Sequence, residues 1–293
     1  MTLALIHSRA LLGLRAPPVT VEVHLANGLP SFTLVGLADT EVKEARERVR
    51  CAIQNSGFDF PNNKRITVNL APADLPKDSG RFDLPIALGI LAASGLLDEH
   101  ALALYEFAGE LSLSGELRPV RGALAMGLAL HTAGERTRLV LPAGSAEEAA
   151  LVPTTEVYRA QHLKNVVAQF ALPASDATAQ QLEASQISAE DAQGWSRLCA
   201  PLIASNKGPV NDANDLADVK GQMAPRRALE IAAAGGHSLL LVGPPGTGKS
   251  MLAQRFAALL PDMQLDEALE TAAVASLAGR FTLSQWMQRP TRS

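Results

Sequence analysis

The residues best suited to chemistry lie in one glycine-rich stretch near the carboxyl end of the sequence. Apolar residues 239–242 precede it, and a helical run, Met251–Leu260, follows it. Glycines in such a loop let several backbone N–H groups point at one phosphate chain, and the helix adds its positive amino-terminal end. Lys249 can reach the outer phosphates, and Ser250 can place its hydroxyl on Mg²⁺. The spacing G-x-x-x-x-G-K-[ST] in this setting predicts a P-loop that binds ATP and Mg²⁺, rather than a plain turn. Its eight residues are Gly243, Pro244, Pro245, Gly246, Thr247, Gly248, Lys249 and Ser250.

The sequence after the loop lacks further parts of a nucleotide-hydrolysing motor. Such motors need an acidic residue that holds Mg²⁺ and usually an arginine that reaches the γ-phosphate. Residues 262–293 are typical of helix and loop, and they contain no apolar strand that ends in Asp-Glu. We therefore expect this chain to bind ATP without hydrolysing it, as a fragment of a longer protein or the product of a truncated gene.

Composition excludes several classes of protein. The 293 residues have room for two domains, and 47% of them are apolar. No apolar run reaches membrane-spanning length, and the first residues lack the pattern of a secretory signal, which predicts a cytoplasmic protein without a membrane partner. Cys51 and Cys199 predict reduced thiols, and the six histidines show no metal-ligand spacing. Because the net charge is −4, any contact with nucleic acid needs a local basic patch or the channel of an oligomer.

Hydrophobic periodicity divides the chain into three segments. Residues 1–171 alternate between strand-like and helix-like patterns, which predicts an α/β domain. Residues 172–214 are polar with little periodicity, which predicts a flexible linker, and residues 215–293 predict the beginning of a second α/β domain. We expect strands at 19–25, 32–35, 66–70, 138–141 and 156–160, a hairpin around 112–115, and helices that begin near Thr40, Asp83 (as a cap), Arg121, Ser145 (as a cap) and Leu163.

The second domain carries a resemblance to a known family. The phrases Asp218–Gln222 and Arg227–His237, followed by the P-loop, resemble the beginning of the AAA+ module of magnesium-chelatase-like ATPases. The phrases Pro17–Val23, Val42–Arg46 and Asn69–Lys77 resemble the ComM/YifB branch of that group. This resemblance implies a homo-hexameric ATP-driven motor for DNA branch migration in natural transformation. It also implies that Gln222 and Val219 border the adenine.

The first domain resembles the Lon-protease-like fold, which is related to domain 2 of ribosomal protein S5. The matching phrases are Pro76–Asp78, the helix after Asp83, and Gly109–Val120. A Lon peptidase needs a serine nucleophile that is activated by a lysine. Alignment of the phrases places Arg81 at the serine position and Leu124 at the lysine position, so the resemblance implies a non-proteolytic domain.

Four basic residues bracket one strand-loop-helix passage of the first domain. If they form one surface patch, they can contact DNA phosphates, branched or single-stranded, without sequence preference. The alternative is a solvated loop with a structural role. The four are Lys64, Arg65, Lys77 and Arg81.

Two other functions remain open at this level. The first is a true magnesium-chelatase subunit that drives Mg²⁺ into a porphyrin, although a Lon-like domain argues against it. The second is an inactive module that binds DNA or a partner and keeps a vestigial P-loop. Separate measurements of ATP binding and turnover distinguish the inactive module from the motor.

Overall fold

A computed structural model describes residues 2–36, 40–77, 80–134, 137–172, 194–198, 215–261, 263–287 and 289. The chain forms two compact units. The first contains residues 1–201 with 273–280, and the second contains residues 202–272 with 281–293. The division at residue 201 falls inside the segment that we predict to be a linker.

The first unit is built on an eight-stranded mixed sheet, which confirms the α/β prediction. Its strand order is β10-β9-β8-β5-β1-β2-β4-β3. Two short strands, β6 and β7, pair separately as a hairpin. The strands are β1 (Thr2–Arg9), β2 (Pro18–Asn27), β3 (Ser31–Val35), β4 (Lys64–Ala71), β5 (Tyr105–Phe107), β6 (Glu110–Leu111), β7 (Leu117–Arg118), β8 (Arg138–Pro142), β9 (Glu156–Ala160) and β10 (Trp195–Leu198).

Helices pack on the sheet of the first unit. The regular structure described in the second unit is helical. In the first unit the helices are α1 (Thr40–Asn55), α2 (Asp83–Ala93), α3 (Glu99–Leu102), α4 (Ala123–Ala133), α5 (Ser145–Ala149) and α6 (Leu163–Phe170). The remaining helices are α7 (Met223–Gly235) and α8 (Lys249–Leu259) of the second unit and α9 (Leu265–Leu277), whose last residues, 273–277, belong to the first unit.

The core of the first unit forms where β2 and β4 bury alternate residues beneath α2. Val21 pairs with Leu70 and Val23 pairs with Val68, and all four side chains are buried. Every residue of α2 is buried as well, so the helix is apolar on all sides, which is typical of a central element. At Gly89 an added Cβ would lie 2.5 Å from Val23 Cγ2, so α2 contacts β2 directly at this point.

A buried ion pair joins β1 to β5. Arg9 Nε donates to one carboxylate oxygen of Glu106 at 2.6 Å, and Arg9 Nη2 donates to the other at 3.0 Å. A third nitrogen, Nη1, donates to the carbonyl of Ala16, which belongs to the loop between β1 and β2. Both charged side chains are about nine-tenths or more buried, at 5% and 6% exposure. The bidentate geometry fixes the end of β1 and the following loop on β5.

The edge strand β10 corrects the linker prediction. Residues 195–198 pair antiparallel with β9, with Trp195 opposite Ala160 and Leu198 opposite Val157. The Trp195 ring stacks on Tyr158 at 5.1 Å between centroids and meets Phe170 edge-on at 6.0 Å. The prediction of a linker is therefore wrong for these four residues, because aromatic packing and backbone pairing hold them on the sheet. Most other residues of the predicted linker, 173–193 and 199–214, lie outside the described part of the chain.

Asp83 does not cap α2 as the sequence suggests. Phe82 occupies the cap position, and no side-chain cap bond forms there. The Asp83 carboxylate instead pairs with Arg48 of α1, at 2.8 and 3.1 Å, and accepts the N–H of Leu111. Its side chain is fully buried, and this burial raises the pKa of Asp83 to about 6 despite the opposing effect of Arg48. The carboxylate thus joins α1, α2 and β6. Ser145 does not cap its helix either. It is the first residue of α5, and Gly144 occupies the cap position.

The raised pKa of Asp83 predicts a pH-dependent stability. Asp83 binds its proton more tightly in the folded protein than in the unfolded chain, where its pKa is near 3.8. Its contribution to the free energy of unfolding therefore falls by roughly 2 kcal/mol as the pH rises from 4 to 6, out of a total of roughly 3 kcal/mol over the whole titration. Urea unfolding across this range should show that decline in the wild type and its loss in Asp83→Asn. Equal pH slopes for the two proteins would contradict this assignment.

Other expectations concern membranes, metals and thiols. Among the described residues, no helix is long and apolar enough to cross a bilayer. The same residues contain no group of three or more His, Cys, Asp or Glu side chains that could hold a metal ion. Cys51 has a free thiol, and Cys199 lies outside the described residues.

Candidate nucleotide site

The predicted P-loop leads directly into the amino-terminal end of α8. Lys249 is the first residue of this helix, and Gly248 precedes it in the left-handed conformation, with φ 81°. Gly246 also has a positive φ, 83°, where a side chain would strain the backbone. Leu252 N–H donates to the carbonyl of Gly248 as the first bond of the helix, so the amides before it have no carbonyl partner within α8. This end of the helix favours an anion.

The Lys249 ammonium group lies across the loop and bonds to it. It donates to the carbonyls of Gly243 and Pro244, each at 2.7 Å. Thr247 Oγ1 donates to the same Pro244 carbonyl at 2.9 Å. Residues 243–247 and Ser250 are exposed, so solvent reaches the loop and the first turn of the helix. A bound phosphate would take the place of the Gly243 and Pro244 carbonyls as the acceptor for the Lys249 ammonium group, which already lies at the loop.

The apolar run that precedes the loop, residues 239–242, is of the kind that predicts a strand before a P-loop, but it does not form one. Residues 239–242 are not paired with any strand in the described part of the chain. Leu240 and Val242 are each 84% exposed, whereas Leu241 packs against the small core of this unit. The strand prediction is therefore wrong here, because a strand requires hydrogen bonding to a neighbour, which the described residues do not supply.

Gln222 and Val219, the two residues expected at the adenine, have different environments. Gln222 is exposed, and its Nε2 donates to the carbonyl of Thr247 in the P-loop at 3.1 Å. Val219 is only 1% exposed, and its carbonyl accepts a bond from Arg226 Nη1 at 3.1 Å. The structure thus brings Gln222 to the loop and places the Val219 side chain in the core beneath it. The Gln222 contact spans 25 residues, so no local spacing in the sequence signals it.

A small core holds these elements in place. Four buried residues come from the segment before α7, from α7 and from α8: Leu216, Val219, Leu229 and Leu252. Arg255 of α8 donates to the carbonyl of Asp215 at 3.0 Å and lies 3.8 Å from the carboxylate of Asp218. The start of α8 is therefore fixed to the segment that leads into Gln222.

The residues present fit a nucleoside triphosphate with its magnesium ion. Helix-terminal amides and the Lys249 ammonium group suit phosphate oxygens, and a hard cation prefers oxygen ligands such as the Ser250 hydroxyl and the phosphates themselves. At Gly246 an added Cβ would meet no atom within 4 Å, so the outer side of the loop is open at this residue. The arrangement can hold an anion at the start of α8.

The predicted basic patch of the first unit does not form. Lys77 and Arg81 are each only 1% exposed, and they donate to the backbone carbonyls of Pro72 and Arg121. Burial lowers the pKa of Lys77, while Asp74 partly opposes this effect. Arg65 is exposed at the other end of β4, beside Lys64, whose ammonium group bonds to the Asn27 side chain at 2.7 Å. The prediction of one patch is wrong, because the tertiary fold takes two of its four cations into the interior.

The two positions that align with the Lon dyad are also interior. Leu124 is fully buried in α4, and Arg81 reaches the residue that lies two positions before that helix. Neither side chain can act as a serine nucleophile or as its lysine base. A non-proteolytic role remains our prediction for this unit.

Comparison with known families finds separate matches on either side of residues 146–214. Two family models match, one described as subunit ChlI of Mg-chelatase over residues 21–145 and one as magnesium chelatase, subunit ChlI, over residues 215–293. The second match includes Gln222 and the whole P-loop. A more distant similarity, 26% identity over 167 residues, relates 53% of the chain to 20% of the Lon protease of Roseiflexus castenholzii, consistent with a Lon-like first unit.

Matches that cover the whole of this chain identify the group. The chain is 47% identical over 294 residues to the uncharacterized protein YifB of Salmonella typhimurium, covering 100% of this chain and 53% of that protein. It is 48% identical over 298 residues to the competence protein ComM of Haemophilus influenzae, covering 100% of this chain and 54% of that protein. The chain spans about half the length of the curated relatives it matches. Its P-loop, its two chelatase-like segments and these matches show that it belongs to the ComM/YifB group of magnesium-chelatase-like AAA+ proteins.

Proposed function

We propose that the chain binds ATP together with Mg²⁺ through the P-loop of its second unit. The observation that carries this proposal is the position of Lys249, at the first residue of α8 with its ammonium group against the loop carbonyls. Lys249 and the amides at the start of α8 would hold the phosphates, and Ser250 would take part in holding Mg²⁺. The ion, when bound, supplies charge neutralisation of the phosphate oxygens.

Titration with a fluorescent ATP analogue tests this proposal. We expect saturable binding by the 293-residue chain that requires Lys249 and is strengthened by Mg²⁺. Phosphate release in the same samples separates binding from turnover. We expect little turnover, because the sequence offers no apolar strand ending in Asp-Glu after the loop. Absence of ATP binding at millimolar nucleotide would contradict the proposal.

We further propose that the complete protein acts on DNA as a homo-hexameric branch-migration motor in the cytoplasm. This finer proposal rests on the similarity to a relative named competence protein ComM and on the family resemblance. Lys64 and Arg65 are the remaining candidates for DNA contact, since Arg65 is exposed and Lys64 is partly exposed at the beginning of β4.

Binding to forked DNA at several salt concentrations tests this role. Lys64→Ala/Arg65→Ala should weaken binding and reduce the slope of log affinity against log salt by about 1 to 2, because each phosphate contact releases roughly one counterion. Lys77→Met is a suitable comparison, since Lys77 is buried and should leave the slope unchanged. An unchanged slope in the double variant would remove these two residues from the interface.

A further inference from the structure

Gln222 has an unusual backbone for a residue of its type. It precedes α7 with φ 48° and ψ 47°, in the left-handed region. Few residues other than glycine adopt this conformation, which costs free energy. The side chain makes no cap bond to its own helix. It reaches the P-loop instead, where Nε2 donates to the carbonyl oxygen of Thr247.

This hydrogen bond has a consequence for the next amide in the loop. A peptide group is planar and trans, so the carbonyl of Thr247 and the N–H of Gly248 point in opposite directions. Because the carbonyl is directed at Gln222, the N–H of Gly248 is directed away from Gln222. The Gln222 side chain, which lies outside the loop, therefore fixes the direction of the Gly248 N–H.

The fit between Gln222 and the loop is close. An added Cβ on Gly248 would lie 3.0 Å from Gln222 Nε2, a tight contact. Gly248 also has φ 81°, a conformation that a side chain would strain. Glycine at this position thus permits both the turn into α8 and the approach of the Gln222 amide.

We propose that Gln222 is a positioning residue for phosphate binding. By holding the Thr247 carbonyl, its side-chain amide turns the Gly248 N–H toward a phosphate oxygen of the nucleotide. The proposal rests on ATP binding at the P-loop, and it gives Gln222 a task on the phosphates rather than on the adenine. The exposed amide is in contact with the loop and needs no rearrangement for this role.

Two substitutions separate the donor from the rest of the side chain. Gln222→Met keeps the length of the side chain and removes the N–H donor. Gln222→Gly removes the side chain and also relieves the left-handed backbone. Gln254→Met is the matched control, because Gln254 is exposed on α8. Since Gln222 is exposed, all three variants should keep the helix content of the wild type, which circular dichroism verifies.

The affinities of the 293-residue chain for ATP, GTP and inorganic tripolyphosphate, each with Mg²⁺, test the role. In both Gln222 variants we expect the affinities for ATP and tripolyphosphate to fall by the same factor, about 3- to 10-fold, as for loss of one hydrogen bond. The ratio of ATP to GTP affinity should not change. The control variant should bind all three ligands as the wild type does.

Three outcomes would overturn the positioning role. Unchanged affinity of Gln222→Met for ATP and tripolyphosphate contradicts it, as does a loss confined to ATP that spares tripolyphosphate, which would instead indicate contact with the base. Both of these results leave nucleotide binding by the chain intact. Failure of the wild type to bind ATP and tripolyphosphate contradicts the proposed function itself, and the role of Gln222 with it.

Discussion

Replacing Lys249 by alanine should weaken ATP binding by about 10- to 100-fold. The lysine ammonium group donates to the loop carbonyls of Gly243 and Pro244. Loss of a hydrogen bond to a charged group costs about 1.5–3 kcal/mol, which corresponds to this range of affinity. The lost contacts lie on an exposed loop, where water can replace the ammonium group. The fold should therefore be kept while affinity falls, and titration with fluorescent ATP measures the difference.

Two further variants make this result specific. Lys249→Arg keeps the charge but replaces a compact ammonium group by a planar guanidinium group, so affinity should fall here too. Arg227→Ala removes a cation from the same unit at a side chain that is 72% exposed and paired with Glu230, and it should bind ATP normally. ATP affinity of Lys249→Ala within twofold of the wild type would contradict the phosphate-binding role of the loop.

Replacing Glu106 by alanine should destabilise the first unit by about 3–5 kcal/mol. The change leaves the Arg9 guanidinium group without its bidentate partner in the interior, and an uncompensated buried charge carries a cost of this size. Arg9→Met/Glu106→Met removes both charges and should lose less than the single substitution. The Ala16 carbonyl then loses its donor, so some destabilisation should remain in the double variant.

Fluorescence of Trp195 can report the loss of stability in Glu106→Ala from the first unit alone. The chain has two tryptophans, and Trp286 belongs to the second unit, so a Trp286→Phe background isolates Trp195. Urea unfolding then yields the free energy for each variant. Arg118→Ala is the comparison, because the Arg118 side chain is 61% exposed and its 3.4 Å pair with Glu110 should contribute less than about 1 kcal/mol. Equal stability of Glu106→Ala and wild type would show that the pair does not hold β1 to β5.

Periodicity predicts an element most directly when one of its faces is buried and the other is solvated. β2 alternates strictly between buried and partly exposed residues, so its period of two is visible. No strand is predicted for β1, because apolar residues occupy both of its faces: Ala4 and Ile6 are buried, while Leu3 and Leu5 are 54% and 45% exposed. β10 has four residues in a polar stretch, and its order depends on aromatic contacts that no local pattern contains.

The candidate site is likewise predictable only where its signals are local in the sequence. The start of α8 at Lys249 follows from glycine-rich spacing and the helical run behind it, both of which are local. The contact of Gln222 with Thr247 and the burial of Lys77 and Arg81 depend on residues that meet only in the tertiary structure. Charged residues usually lie at the surface. A buried cation can nevertheless donate to a backbone carbonyl, as Lys77 does to the carbonyl of Pro72.

The pairing of β10 with β9 decides where the first unit can be cut for separate expression. A fragment ended at Ala171, where the composition changes, would discard Trp195 and leave the backbone of β9 and the Tyr158 ring face bare. Bare strand edges recruit other chains, so such a fragment should self-associate. A fragment that runs through Leu198 retains its own border strand and should self-associate less, although it still omits residues 273–280 of this unit.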